Sequence, residues 1–180
     1  MRYSIGYLLS GEAGKFHEKK RRELAKKFNE PYLLDNPIPS HSTLKYPFSA
    51  DKEQIKKIEG MIQVFVKKQN KEKIEIRKIN NFHKKVVSLQ LDFSKGANKI
   101  FRDLVKELGK FDWLEWGEYD KILDCKFHAT LVYGNTPDNF KRIWKEASDL
   151  KPKFDIEFDN IAILKKPRRY WKIHKIYKIK

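Results

Sequence analysis

The four-residue pattern His-x-Thr-Leu occurs twice in this chain, as HSTL at 41–44 and HATL at 128–131. The order of predicted elements around each occurrence is the same. Residues 2–80 read strand, helix, His-x-Thr-Leu strand, helix, strand, and residues 86–164 repeat that order. A further alternating segment, 170–179, follows the turn KKPRR. Duplication constrains the fold more than any other feature, because one supersecondary unit read twice must bury the same apolar face twice. No linker separates the halves. The expectation is one bilobal α+β domain over 1–180, made of two pseudo-symmetric lobes. Each lobe is an antiparallel sheet with flanking helices, and a cleft lies between them.

The local signals agree with that frame. Residues 2–9 alternate as a strand that Gly11 and Gly14 break, and Lys15 to Asn29 reads as a helix with a strongly basic face, KKRRELAKK. Asp51 and Ser94 are placed to cap helices. The first helix carries Ile55, Ile58, Ile62 and Phe65 at helical spacing. The second carries Ile100, Phe101, Leu104, Val105 and Leu108 and stops at Gly109. Residues 73–79 and 86–93 read as strands joined by a turn at Asn80, Asn81 and His83. Residues 154–164 read as one strand, and a helix starts at Thr136 and Pro137.

Forty Lys and Arg against 24 Asp and Glu give a formal net charge of +16. That potential suits a polyanion such as RNA, or else a surface of solvated lysines. No apolar run approaches the roughly 20 residues that span a bilayer, and the N-terminal segment reads as structure and not as a signal peptide. A single cysteine, Cys125, excludes an internal disulfide and fits a reducing cytoplasm. It reads as a small packed apolar residue. Nothing in the sequence speaks to oligomeric state.

In a strand, side chains alternate faces. His41, Thr43 and Lys45 then share one face while Ser42, Leu44 and Tyr46 face the core. His128 and Thr130 pair in the same way, with Ala129, Leu131 and Tyr133 opposite. Two His-Thr pairs facing each other across a cleft suit phosphoryl chemistry. One neutral imidazole takes a proton from water, a protonated one gives a proton to the leaving oxygen, and the hydroxyls hold phosphate oxygens. An imidazole pKa near 6.5 serves both roles. Two histidines without a carboxylate or cysteine at ligand spacing make a poor metal site, so neither metal nor other cofactor is expected. His17, His83 and His174 read as ordinary polar residues. Lys45 is a candidate phosphate contact, and Arg168, Arg169 and Tyr170, beside Trp171, suit a phosphate and a stacked base. Tyr46, Phe48 and Tyr133 are aromatic candidates near the cleft, though alternation assigns both tyrosines to packing. Trp113, Trp116 and Tyr119 form a lid or a cover for the core.

HSTL and HATL in a duplicated α+β frame resemble the 2H phosphoesterase superfamily, within it the 2′-5′ RNA ligase-like proteins that act as RNA 2′,3′-cyclic phosphodiesterases. The resemblance extends over nearly the whole chain, including the prolines before the first motif and the aromatic residues after each. It implies that His41 and His128 are the acid–base pair and Thr43 and Thr130 the phosphate contacts. It also implies metal-independent opening of a 2′,3′-cyclic phosphate at an RNA end, or in a related nucleotide, to a 2′-phosphomonoester, with 2′-5′ ligation as the reverse reaction. Which histidine is the base stays open. So does a signalling or anti-defence role against 2′-5′-linked or cyclic oligonucleotides. A non-catalytic RNA-binding module is the alternative of another kind; the K/R-G-F/Y signature of RNA-recognition strands is absent.

Overall fold

The computed structural model describes residues 1–30, 34, 38–121, 126–133 and 137–180, with the side chains of Tyr119 and Lys121 outside the description. Cys125 and Thr136 therefore lie outside the described residues. In chain order the elements are β1 (Arg2–Leu8), α1 (Gly11–Lys27), β2 (His41–Ser49), α2 (Lys52–Val66), β3 (Glu72–Ile76), β4 (Ile79–Phe82), β5 (Val86–Gln90) and β6 (Asp92–Phe93). They continue with α3 (Lys95–Leu108), a 3₁₀ turn (Glu118–Lys121), β7 (His128–Tyr133), α4 (Pro137–Ala147), β8 (Phe154–Phe158), β9 (Asn160–Lys166) and β10 (Lys172–Lys178). The fold is α+β, and all its strand pairs are antiparallel.

Sheet order is β10-β9-β1-β2, β4-β5-β7 and β6-β3-β8. The first sheet pairs β1 and β2, from the start of the chain, with β9 from near its end. The second pairs β5 and β7 with β4, which precedes them. β3 and β8 pair with each other along Glu72↔Phe158 to Ile76↔Phe154. One apolar cluster takes in Ile5, Ile58, Leu89, Leu104, Leu131 and Ile163, residues from both halves of the chain.

Local chemistry explains the helix limits. Asp51 accepts from the N–H groups of Glu53 and Gln54, while Gln54 Oε1 accepts from Asp51 N, a reciprocal cap that starts α2. Its Ile55, Ile58, Ile62 and Phe65 are buried as the spacing predicts. Ser94 Oγ accepts from Ala97 N to start α3. α1 begins earlier than expected, at Gly11. Gly14 belongs to the helix and not to a break: a β-carbon there would lie 2.7 Å from Leu9 O, so the missing side chain is what lets the first turn sit on the end of β1.

Three strand limits also differ from expectation. Asn80 and Asn81 lie within β4, paired with Ser88 and Val87, and the hairpin turns at His83 and Lys84, both with φ of 52°. The 86–93 run divides into β5 and β6, and the 154–164 run divides at Asp159 into β8 and β9, which belong to different sheets. Alternation hides the change of sheet in the first run, and in the second only the successive polar residues Asp159 and Asn160 mark it.

Candidate active site

Both motif strands carry a β-bulge at the same place. Against β1, Thr43 pairs with Gly6 and Lys45 with Ile5, which leaves Leu44 unpaired. Against β5, Thr130 pairs with Ser88 and Val132 with Val87, which leaves Leu131 unpaired. One extra residue reverses alternation beyond it. Lys45 and Val132 therefore turn into the core, and Tyr46 and Tyr133 turn outward. Alternation from the sequence is thus wrong for these residues, and Tyr46 and Tyr133 are corrected from the core to the cavity lining.

β2 and β7 lie against each other, with α1 against β7. Between them is a cavity of about 150 Å³ lined by His17, Arg21, Ile38, Pro39, His41, Thr43, Tyr46, His128, Thr130 and Tyr133. The fold therefore brings His41, Thr43, His128 and Thr130 to one space. Among the described residues its lining includes no carboxylate.

The two imidazoles are held alike. His41 Nδ1 lies 2.7 Å from Pro39 O, and His128 Nδ1 lies 3.1 Å from Lys126 O, each carbonyl two residues back along the chain. A carbonyl only accepts, so Nδ1 carries the proton in both rings and Nε2 is left for proton exchange. Burial lowers the pKa of both rings. For His41 the bond to Pro39 opposes this and the charges of Arg21 and His128 add to it; for His128 the bond to Lys126 opposes it. Gly6 lies beneath His41, where a β-carbon would come 2.9 Å from Ser42 O and 3.5 Å from the His41 ring. The Phe82 ring sits on His128 with centroids 4.4 Å apart.

Two lining residues were not expected. His17 is 2% exposed, with Nε2 2.8 Å from Thr130 O and Nδ1 2.9 Å from Ser40 Oγ. Nε2 donates to the carbonyl and Nδ1 accepts from the hydroxyl, so this neutral ring ties α1 to β7 and to the residue that leads into β2. Burial, chiefly, pushes its pKa down to about 4. Arg21 is 5% exposed and Nη1 donates to Ile38 O at 2.6 Å. The signal lay in helical spacing: Ala13, His17, Arg21, Leu24 and Ala25 make one buried stripe, on which a histidine and an arginine are out of place.

The expected additional contacts fare differently. Lys45 is not a phosphate contact. Its Nζ is buried 2.8 Å from Asp120 Oδ2 and 2.7 Å from Glu115 O, with Trp116 and Phe48 rings 5.1 and 5.5 Å away. Asp120 also accepts from the N–H groups of Tyr46 and Gly117. The bulge is the physical reason. Phe48 is a core residue, and Trp113 and Trp116 pack on the core, outside the cavity lining. Arg168, Arg169 and Tyr170 are not brought to the histidines. Their turn leaves the sheet where Lys166 pairs with Arg2, whereas His41 pairs with Leu8 at the other end of β1. Arg169 instead lies over the Tyr170 ring at 5.4 Å. His83 is an exposed turn residue and His174 bonds Glu59 at 2.8 Å, both outside the cavity lining. Among the described residues no three His, Cys, Asp or Glu side chains form a metal-binding group. No helix among them is long and apolar enough to cross a membrane.

The fold and paired motif strands define a known class. The family model for the 2′-5′ RNA ligase superfamily matches residues 14–169, and the chain belongs to that superfamily. No curated protein matches it in sequence. Its fold is similar to that of TT0787 of Thermus thermophilus, with a TM-score of 0.65 at 14% identity over 99% of this chain and 98% of that one. Similarity extends to E. coli LigT, solved in complex with 3′-AMP, with a TM-score of 0.56 at 12% identity over 99% and 97%. For Usb1 of Kluyveromyces marxianus the TM-score is 0.55 at 9% identity, over the same shares.

Proposed function

We propose that this protein is a metal-independent phosphodiesterase that opens 2′,3′-cyclic phosphate at RNA ends to a 2′-phosphomonoester. The observation that carries this reading is the matched pair of imidazoles lining one cavity, each with Nδ1 tied to a carbonyl and Nε2 left for chemistry. Membership of the superfamily supports it, as does the similarity of fold to LigT and Usb1, proteins solved with 3′-AMP and with uridine monophosphate.

In this mechanism water attacks phosphorus in line with the 3′-oxygen. Neutral His41 accepts the water proton at Nε2, and protonated His128 donates from Nε2 to the departing 3′-oxygen. His41 is assigned as the base because the positive charge of Arg21 adds to burial in disfavouring an imidazolium there, whereas at His128 burial alone does so. The bond from phosphorus to the 3′-oxygen breaks, a bond to the water oxygen forms, and the 2′-ester remains. Thr43 and Thr130 hydroxyls hold the nonbridging oxygens while charge builds on them. The two halves, 2–80 and 86–164, act as copies of one unit within a single domain, each providing one histidine and one threonine. The shared bulge and the shared carbonyl bond support that relation.

A substrate panel with phosphate-position analysis of the products tests the reading. RNA ending in 2′,3′-cyclic phosphate should yield only the 2′-monoester, and excess chelator should not slow it. Preference for 2′-5′-linked or cyclic oligonucleotides would move the protein to a signalling substrate. RNA binding without turnover of any of them would overturn the enzymatic reading.

A further inference from the structure

Two buried cations lie near the motif strands, and they are treated in opposite ways. Lys45 is compensated by Asp120. Among the described residues no carboxylate pairs with Arg21. Glu18, on the same helix, has Oε1 2.7 Å from Arg22 Nη2. Of the charged groups bearing on Arg21, Glu18 attracts it without an ion pair and Arg22 repels it. Nη1 of Arg21 is spent on Ile38 O, while Nε is buried with no hydrogen-bond partner. A cation taken out of water without an ion-paired carboxylate is costly, and anion binding offsets that cost. The cavity it lines has imidazoles and hydroxyls around it. His17, one turn earlier, ties α1 to β7 and to the residue that leads into β2, and so fixes where the guanidinium sits.

We propose that Arg21 is the anion anchor of this site, binding a nonbridging phosphate oxygen through guanidinium N–H groups not spent on Ile38. This rests on the phosphodiesterase reading for its substrate, though anion binding itself does not. The anchor supplies a permanent positive charge, which titrating histidines do not, and it comes from the helix and not from either motif. Arginine suits the task because its fork retains hydrogens after one is used on the backbone.

Inorganic phosphate is the probe, titrated at constant ionic strength into wild type, Arg21→Met and Arg21→Lys. Readouts are the His41 and His128 ring proton resonances and the phosphate-dependent rise in Tm. Wild type should show saturable shifts of both rings and a rising Tm. Arg21→Met should bind phosphate about 10- to 100-fold more weakly and lose the rise in Tm, and Arg21→Lys should recover part. Equal affinity in wild type and Arg21→Met overturns the anchor, as does phosphate that leaves the wild-type ring resonances unmoved. If Arg21→Met does not fold, Arg21→Lys decides, since an unchanged affinity without the fork overturns it too. Turnover of the substrate panel, led by RNA ending in 2′,3′-cyclic phosphate, is measured alongside. Phosphate bound through Arg21 with no turnover defeats the phosphodiesterase reading and leaves the anchor standing.

Discussion

β2 and β7 place a histidine, a threonine, an unpaired leucine and an outward tyrosine at matching positions, yet the rest of each strand's surroundings differ. His41 has Gly6 beneath it and the Arg21 charge beside it. His128 has the Phe82 ring against it. After the bulge, β2 buries Lys45 in an ion pair, where β7 buries Val132 in the apolar core. Backbone geometry is thus held constant while chemistry varies. The difference teaches that matched positions need not have matched surroundings, because a nearby charge stands beside one ring and a phenyl ring covers the other.

The sharpest way to break this comparison is to remove each imidazole. His41→Ala and His128→Ala should each lower kcat/KM by about 10²- to 10⁴-fold while leaving RNA binding largely intact. The wild-type profile should be bell-shaped and centred below the ordinary imidazole value, because both pKa values are lowered. Residual activity should lack the acidic limb in His41→Ala and the basic limb in His128→Ala. The reverse assignment of limbs would exchange their roles.

Next in size is the ion pair that β7 lacks. Lys45→Met leaves the buried Asp120 charge without its cation and should cost about 3–5 kcal/mol by denaturant unfolding. Lys45→Met with Asp120→Asn, which approaches the apolar state of β7, should regain much of that loss. A double variant no more stable than the single one would mean that the Asp120 bonds to Tyr46 and Gly117 dominate.

His17 ties α1 to β7 and to the residue that leads into β2, and its folded-state pKa lies below its unfolded value. The unfolded chain therefore gains a proton first as pH falls. Stability should drop between about pH 6.5 and about pH 4, by up to about 3 kcal/mol from this residue, and His17→Asn should flatten that part of the profile. The smallest effect is expected from Phe82→Ala. Water reaching His128 should raise its lowered pKa and move the basic limb upward, with less than about a tenfold change in rate. An unmoved limb would mean that the ring covers His128 without desolvating it.

The element order, the helix caps and both His-Thr pairs are legible in the sequence because each rests on local spacing. Capping depends on residues three apart, and the helical stripes of α2 and α3 are strong. Alternation misplaces Lys45, Tyr46 and Tyr133 because a bulge leaves no mark in an alternating run, and everything beyond it is inverted. His17 and Arg21 are hidden by their neighbours: amid the lysines of α1, two more basic residues look like surface. Only their place on the stripe of Ala13 and Leu24 distinguishes them. The division at Asp159 is marked only by two successive polar residues, Asp159 and Asn160, before the apolar run Ile161 to Leu164, too small a break to announce that β8 and β9 join different sheets.

The crossed placement of β4 and β9 reaches beyond architecture. The sheet of β1 and β2 takes β9 and β10 from beyond the His83–Lys84 hairpin, and the sheet of β5 and β7 takes β4 from before it, so severing the polypeptide at that hairpin would leave each fragment without strands its own sheet needs. Such fragments should regain structure only when mixed.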